Sequence, residues 1–334
     1  MPCYTCVWRY VVSKKLVKIT LSSITYSGDN IGRELSIEIG IENQKTAFNI
    51  KLKRGLSRSF KKTLFQQVSS DSKQTLSTVV GITERDLVAS DYGSTQQILT
   101  INTDSESVES KCIDVVVQGK GWDKKRKGHF TLEFTISKTE AIRYITDHRY
   151  YGWLKVKFDQ TGKITPLPRG LKVELTKIEK NREYFKVLEG HYQGYFASVK
   201  LEDGKNSYLT TKIKHLEPVR LTFYQQEQRL VIPGLGEYKV KMYNHNKIPL
   251  GVYDLQIPDD PKYISDSRNA YYMRFSKFFK SWFRIGNSGD RYLHMGTDSA
   301  GCITVVEKEK WTEIYEFLIF RRKSSTAVST VEVK

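Results

Sequence analysis

The residues best suited to chemistry lie near the end of the chain, where a cysteine follows a turn of small residues. Cys302 comes directly after Ser299, Ala300 and Gly301, and His294 lies a few positions upstream of that turn. A thiol has a reference pKa of about 8.5, so at neutral pH it needs a neighbouring base to become a good nucleophile. A histidine across such a turn supplies that base. The pattern therefore indicates acyl transfer, with Cys302 as nucleophile and His294 as general base.

The turn before the cysteine contributes a second part of the predicted site. Because it has no side chain, Gly301 lets its own N–H and that of Cys302 point at a developing oxyanion. A nucleophile, a base and oxyanion donors are together the minimal set for acyl transfer. A buried structural cysteine beside a core histidine is the alternative that the residues alone leave open.

Three stretches of this region resemble, in the same order, the motifs of the YkuD-type L,D-transpeptidases. The family's Ser-His-Gly-Cys signature, its upstream His-Gly element and its Thr-Pro-x-Gly-x-Tyr turn correspond to Ser299-Ala-Gly-Cys302, Leu293-His294-x-Gly296 and Ile248-Pro249-Leu-Gly251-Val-Tyr253. The resemblance implies an enzyme that acts on the tetrapeptide stem of peptidoglycan through a cysteine acyl-enzyme, with no cofactor and no metal. It assigns the catalytic roles to Cys302, His294, Gly301 and Ser299.

The motif departs from the family pattern in ways that suggest a divergent branch. Ala300 replaces the histidine of the signature, Thr304 stands two positions after the cysteine, and the His-to-Cys interval is short. This arrangement resembles the branch that includes effectors delivered by type VI secretion. The activity implied is L,D-carboxypeptidase, L,D-transpeptidase or D-amino-acid exchange, with a secretion apparatus or an immunity protein as further partners.

Stem peptides carry free carboxylates, and arginine pairs with carboxylates in a bidentate manner. Arg284 and Arg291 are therefore candidate substrate-binding residues, and Tyr271, Tyr272 and Gly296 are candidates for the wall of the cleft. For each side chain the alternative is an ordinary surface or packing role. These five residues complete the predicted site.

The elements that must position these residues are mainly β-strands, because apolar residues alternate with polar ones along most of the chain. We predict a mainly β protein: a C2-like β-sandwich over residues 1–147, a small bacterial SH3-like β-barrel over 148–218, and an L,D-transpeptidase-type catalytic domain over 219–323. The apolar spacing from Glu307 to Arg322 predicts one C-terminal helix. The Ser- and Thr-rich residues 324–334 are predicted to be a disordered tail.

Outside the predicted catalytic region, the acidic residues and cysteines give only weak indications of metal sites. Asp86 and Asp91 lie where C2 domains collect calcium ligands, but a full acidic set is missing, so a sandwich without calcium is favoured. Cys3 and Cys6 lack a second ligand pair for zinc. Cys112 is predicted to be a buried strand residue.

The charge balance favours polyanionic partners without choosing among them. The chain has 54 basic and 37 acidic residues and a formal charge of +17, with one basic cluster at Lys124–Lys127. The first residues do not form a signal peptide. We therefore expect action in the periplasm or cell wall after delivery by a specialised secretion system. The competing hypotheses are a catalytically silent peptidoglycan-binding protein and a basic protein that binds membrane surfaces. No nucleic-acid motif is visible.

Overall fold

The computed structural model describes residues 13–85, 90–120, 124–146, 150–204 and 206–334. The predicted residues Cys3, Cys6 and Asp86 lie outside these ranges. The protein is mainly β, as the alternating pattern predicts, and it divides into two compact units, Met1–Ala141 and Ile142–Lys334.

The first unit consists of eight antiparallel strands. They are β1 (Lys15–Gly28), β2 (Glu34–Ile41), β3 (Gln44–Lys51), β4 (Ser57–Ser69), β5 (Lys73–Glu84), β6 (Asp91–Asn102), β7 (Ser107–Gln118) and β8 (Lys127–Glu140). The strands β3-β2-β5-β6 form one layer and β7-β8-β1-β4 form the other. A single residue pair, Tyr92 with Gln118, joins β6 to β7.

The two layers enclose one apolar core, which makes the unit a β-sandwich. Alternate residues of β1 and β8, including Ile19 and Phe134, pack with Ile37 of β2 and Ile82 of β5. The residues between them face outward, as the period of two requires. Cys112 is one of these outward residues, so the prediction that it is buried is wrong.

The second unit begins with a seven-stranded antiparallel sheet in the order β11-β10-β14-β13-β12-β9-β15. Its strands are β9 (Ile142–Ile145), β10 (Trp153–Phe158), β11 (Ile164–Pro168), β12 (Lys172–Glu179), β13 (Arg182–Val187), β14 (Phe196–Lys200) and β15 (Leu209–Thr210). Trp153 and Phe185 are fully buried in its core. The sheet starts at Ile142 rather than at the predicted residue 148, because β9 pairs with β12 and β15.

A second sheet of eight strands carries the predicted catalytic motifs, in the order β19-β23-β16-β17-β18-β22-β21-β20. Its strands are β16 (Arg220–Tyr224), β17 (Arg229–Ile232), β18 (Gly236–Lys241), β19 (Gly251–Gln256), β20 (Phe283–Arg284), β21 (Tyr292–Met295), β22 (Ile303–Val305) and β23 (Ala327–Val333). Two pairs are parallel, β16 with β23 and β21 with β22.

The prediction of a disordered tail over 324–334 is wrong. β23 lies inside the sheet between β19 and β16, and most of its residues, including Val331, are buried. From Ser329 to Val333 buried residues alternate with partly exposed ones, which is the period of a strand. Both neighbours of β23 lie far away in sequence, so its pairing was not visible locally.

Two helices pack in this region. The predicted C-terminal helix is confirmed as α2 (Trp311–Ile319), shorter than 307–322 because a 3-10 turn at Lys308–Lys310 precedes it. A second helix, α1 (Asp266–Met273), was not predicted. In the part of the chain that the structure describes, no helix has the length and apolarity needed to cross a membrane.

The seven-stranded sheet and the catalytic-motif sheet both lie in the compact unit Ile142–Lys334. Arg322, which follows α2, forms a 2.9 Å ion pair with Glu189, which follows β13. A Cβ at Gly152, directly before β10, would lie 2.6 Å from the Phe278 ring. The predicted domain boundary at residue 218 lies within this unit and stays a prediction.

Candidate active site

Two adjacent parallel strands position the predicted nucleophile and base. In the pairing of β21 with β22, His294 lies opposite Thr304. Cys302 lies directly before β22, in the bend that follows the Ser299–Gly301 turn. All three side chains are buried, with Cys302 7% and His294 6% exposed. The fold thus places His294 on β21 and Cys302 immediately before the neighbouring strand β22.

The imidazole of His294 is held in one orientation by its surroundings. Its Nδ1 lies 2.8 Å from the Met295 carbonyl oxygen, so Nδ1 carries the proton and Nε2 is the acceptor. The Trp282 ring stacks on the imidazole, with centroids 4.0 Å apart. Burial lowers the pKa of His294 from 6.5 to about 4, and the bond to Met295 raises it slightly in return. The imidazole is therefore neutral at neutral pH, as a general base must be.

The Thr304 hydroxyl lies between two acceptors. Its Oγ1 is 3.2 Å from His294 Nε2 and 3.3 Å from the Asp298 carbonyl oxygen. A hydroxyl has one proton, so Thr304 donates to one of these acceptors at a time. In this structure the polar partner of His294 Nε2 is Thr304, and a direct hydrogen bond from His294 to Cys302 is not formed among the described residues.

The Cys302 thiol sits in a mixed electrostatic environment. Burial raises the pKa of the thiol, while the Tyr292 N–H and the charge of Arg291 lower it. The charge of Asp290 raises it again, and the thiol donates to the Asp290 carbonyl oxygen over 3.8 Å. The thiol is therefore protonated at neutral pH, and its activation requires proton transfer to a base.

The turn before Cys302 is braced by the Ser299 side chain. Ser299 Oγ donates to the Cys302 carbonyl oxygen at 2.7 Å and accepts from the Gly301 N–H at 3.3 Å. The prediction that the Gly301 N–H faces an oxyanion is therefore wrong for this geometry. The Cys302 N–H donates to no acceptor within the described ranges and remains available.

Glycine is required at position 301 for two reasons. Its φ is +110°, a conformation that residues with a side chain rarely adopt. A Cβ there would also lie 2.5 Å from Asn246 Nδ2. Asn246 donates from Nδ2 to the Ala300 carbonyl oxygen and accepts from Arg291, each at 3.0 Å. Asn246 thus fastens the turn, a role that no local signal indicated.

A cavity of about 310 Å³ opens beside His294. The side chains and backbone that line it come from the segment before α1, from α1 itself and from the strand and turn around His294: Tyr263, Ile264, Ser265, Arg268, Tyr272, Trp282, His294, Met295, Gly296, Thr297 and Asp298. The predicted wall residues Tyr272 and Gly296 are among them. Cys302 does not line this cavity.

Gly296 allows the strands to approach at the cavity wall. A Cβ there would lie 3.0 Å from Thr304 Cγ2 and 3.5 Å from His294 Cε1. Tyr272 directs its hydroxyl towards Thr297 Oγ1 at 3.4 Å. Both residues shape the surroundings of the base.

The other predicted substrate-binding residues lie outside the cavity. Arg284 forms a 2.6 Å ion pair with Asp259 and lies over the Tyr292 ring. Arg291 donates to Asn246, and Tyr271 is exposed on α1 with its ring against Tyr272 and Phe275. Arg284 is therefore paired with a carboxylate of the protein and Arg291 with a neutral amide, and their role in substrate binding stays a prediction.

Arg268 is the arginine that lines the cavity, and sequence analysis did not select it. It lies in the first turn of α1 and is exposed. No acidic side chain of the described residues forms an ion pair with it. Arg268 was not predicted because α1 was not predicted. This short helix is only weakly apolar, so its sequence shows no clear helical periodicity.

The stretch that resembles the family's Thr-Pro-x-Gly-x-Tyr turn forms a tight turn into β19. The Tyr253 hydroxyl donates to the Pro249 carbonyl oxygen at 2.9 Å, and Gly251 has a φ of +149°. Ile248 is buried beneath it.

Of the two predicted calcium residues, Asp86 lies outside the described ranges. Asp91 is buried and accepts a 2.7 Å hydrogen bond from the Lys120 N–H. Within the described ranges, no three His, Cys, Asp or Glu side chains lie close enough together to hold a metal ion.

No protein-family model matches the sequence, and no curated protein matches it. Solved structures give distant matches. A C2 domain of plant Extended Synaptotagmin 1 has 14% identity and a TM-score of 0.22, covering 40% of this chain and 98% of that domain. Human GIVD cytosolic phospholipase A2 in complex with an inhibitor and terbium chloride has 9% identity and a TM-score of 0.25.

The match to this phospholipase covers 56% of this chain and 32% of the phospholipase chain. A further structure of the human phospholipase with the inhibitor has 10% identity and a TM-score of 0.24, covering 78% of this chain and 36% of that one. This chain thus spans about a third of the phospholipase chains it matches. TM-scores of this size establish no relationship, and none of these proteins is named as a transpeptidase.

Proposed function

We propose that the protein is a peptidoglycan-modifying cysteine enzyme that acts on the tetrapeptide stem through a Cys302 acyl-enzyme. The observation that carries the proposal is the neutral His294, fixed with Nε2 as acceptor on the strand beside Cys302. Burial raises the pKa of the thiol and lowers the pKa of the imidazole, so both shifts oppose proton transfer in the resting site. In this proposal, general-base activation therefore takes place only once the substrate is bound. The resemblance of the surrounding motifs to L,D-transpeptidases supplies the substrate class.

The first chemical step uses the two acceptors of the Thr304 hydroxyl. When Thr304 donates to the Asp298 carbonyl oxygen, the lone pair of His294 Nε2 is free to take the Cys302 proton. The thiolate then attacks the carbonyl at the L-centre of the stem diamino acid. As the tetrahedral intermediate collapses, the amide bond breaks and His294 returns the proton to the departing D-alanine amine, which leaves a thioester on Cys302.

The second step transfers the acyl group to an acceptor. His294 deprotonates a D-amino acid, a stem amine or water, and the acceptor attacks the thioester and releases the Cys302 thiolate. An amine acceptor gives exchange or cross-linking, and water gives carboxypeptidase activity. The available Cys302 N–H supports the oxyanion in both steps.

Arg268 supports the binding of a substrate carboxylate next to the base. It lines the His294 cavity, and its guanidinium has the geometry for a bidentate carboxylate pair. Since Arg284 and Arg291 are already bonded to Asp259 and Asn246, Arg268 is the better candidate for this role.

The proposal is tested by incubating the protein with purified tetrapeptide muropeptides and following products by mass spectrometry. We expect loss of terminal D-alanine or its exchange for an added D-amino acid, abolished by Cys302→Ala. Arg268→Met should raise KM about tenfold with little change in kcat, because it removes a charge-assisted contact. Arg274→Met, at the other end of α1, is the matched control. Full activity of Cys302→Ala would refute the proposed nucleophile.

A second candidate function is a catalytically silent peptidoglycan-binding protein. The hydrogen bond from Thr304 to His294 Nε2 favours it, because that bond occupies the lone pair that catalysis needs. Thr304→Val distinguishes the two functions, since it frees Nε2 without a large change in shape. An enzyme should release D-alanine both as the wild type and as this variant. A silent protein should release none in either form while still binding muropeptides.

A further inference from the structure

The loops at one end of the first unit bring together basic residues that the proposed function does not use. The turns β1–β2, β3–β4 and β7–β8 all lie at this end, since each joins strands whose paired ends meet there. Arg33 and Lys53 come from the first two turns. The basic cluster Lys124–Lys127, noted in the sequence, belongs to the third and is tied to the first by the Lys127 N–H, which donates to Asp29 Oδ2 at 2.9 Å.

Two adjoining cavities lie among these loops and share Arg33 and Lys53 as lining residues. The first has a volume of about 480 Å³ and is lined by Asn30, Gly32, Arg33, Lys53 and Arg54. The second has a volume of about 620 Å³ and is lined by Arg33, Lys51, Leu52, Lys53, Leu56, Ser57 and Arg58. Every charged residue that lines either cavity is a lysine or an arginine.

The backbone that carries these side chains is fastened on several sides. The Leu52 N–H donates to the Arg33 carbonyl oxygen at 2.9 Å, which joins the two loops directly. Tyr26 exchanges backbone hydrogen bonds with Leu56 and Gly55, at 3.0 and 2.8 Å. The Tyr26 hydroxyl also accepts from the Ile31 N–H at 2.7 Å. The basic side chains therefore stand on a preformed platform, which reduces the entropic cost of binding.

The acidic side chains close to these basic residues are Glu34, Asp29 and the buried Glu84, whose carboxylate lies beside Gly32 of the first cavity. Glu34 pairs with Lys51, and both side chains are more than half exposed, so the pair is weak. The Asp29 carboxylate accepts a hydrogen bond from the Lys127 backbone N–H. The guanidinium and ammonium groups of Arg33, Lys53 and Arg54 have no ion pair with an acidic side chain of the described residues.

We infer that these two cavities form a binding site for a multiply charged phosphate, carried either by a free polyphosphate or by the phosphorylated headgroup of a lipid. Arginine and lysine donors from two fastened loops match the several oxygens of such an anion. The exposed Leu56 at the rim gives the lipid-borne form an additional apolar contact. This site is independent of the His294–Cys302 chemistry.

The test measures binding of the full chain to two probes at moderate salt. One is inorganic tripolyphosphate, followed by calorimetry, and the other is phosphatidylcholine vesicles with or without phosphatidylinositol bisphosphate, followed by co-sedimentation. The site variant is R33Q/K53Q/R54Q. The matched control, K61Q/K73Q/K111Q, removes the same charge from three exposed lysines that line neither cavity.

We expect at least one probe to bind, with an affinity about tenfold lower in the site variant and nearly unchanged in the control. Binding of tripolyphosphate identifies a free anion as ligand, and binding of the phosphorylated vesicles alone, with a further loss in Leu56→Ser, identifies the lipid-borne form. Failure of both probes to bind would overturn the inference. An equal loss in the site variant and the control would also overturn it, because it would show a diffuse charge effect.

Discussion

At the scale of single residues, the environment of His294 decides what the site can do. The Met295 carbonyl fixes the tautomer, Trp282 covers the ring, and burial keeps the ring neutral. The pairing of His294 with Cys302 was predicted from the sequence, and the fold places His294 on β21 and Cys302 directly before the adjacent strand β22. The roles of Thr304, Asn246 and Arg268 were not predicted, because they depend on strand register and on segments far away in sequence.

The lowered pKa of His294 should make stability depend on pH. In the unfolded chain the imidazole takes up a proton near pH 6.5, whereas in the folded protein it does so only near pH 4. The unfolded state therefore binds more protons between these values, and the folded state loses stability as the pH falls from 7 to 4. The loss should be on the order of 3 kcal/mol at pH 4.

Urea unfolding followed by tryptophan fluorescence, at a series of pH values, measures this contribution. The stability difference between the wild type and His294→Gln should shrink as the pH falls, because the variant has no imidazole to titrate at this position. His129→Gln, which alters an exposed histidine of the first unit, provides the control. A wild-type-minus-variant difference that stays constant with pH would mean that His294 is not buried as a neutral base.

At the scale of secondary-structure elements, the alternating pattern predicts strands well and their pairing poorly. The stretches around Leu16, Leu35 and Phe130 become β1, β2 and β8, as predicted. β23 was missed because a strand between β19 and β16 is recognised by partners that lie far away in sequence. The helix α1 was missed because its sequence is mostly polar, and with it the cavity wall that carries Arg268.

The central position of β23 gives a sharp prediction. Removal of residues 324–334 should prevent the unit from Ile142 onward from folding, because β16 and β19 would both lose the strand that lies between them. Val331→Asp should destabilise the unit by more than about 4 kcal/mol, since it buries an unpaired charge. Limited proteolysis and circular dichroism report the outcome.

Glu332→Ala, one residue further along and partly exposed, is the matched control and should leave the unit folded. The sandwich of the first unit should stay resistant to protease in all three variants, because it has its own core. If the truncated chain kept a protease-resistant second unit, β23 would not be an integral strand.

At the scale of the whole molecule, each of the two units carries its own candidate site. The first unit has a fastened basic end, and the second unit combines an antiparallel sheet with the sheet that carries His294 and Cys302. The mainly β class could be predicted because a period of two recurs along the chain. The division into units could not, because the contact between the seven-stranded sheet and the catalytic-motif sheet depends on side chains such as Arg322 and Glu189.

The most direct test of the central claim is intact-protein mass spectrometry after brief incubation with a tetrapeptide muropeptide or an acylating carbapenem. We predict a mass increase of one acyl group on the wild type, located by peptide mapping on Cys302. The adduct should be absent in Cys302→Ala, strongly slowed in His294→Gln and unchanged in Cys112→Ala, which alters the exposed cysteine of β7. A wild type that gains no acyl group, or a Cys302→Ala variant that still gains one, would contradict the account.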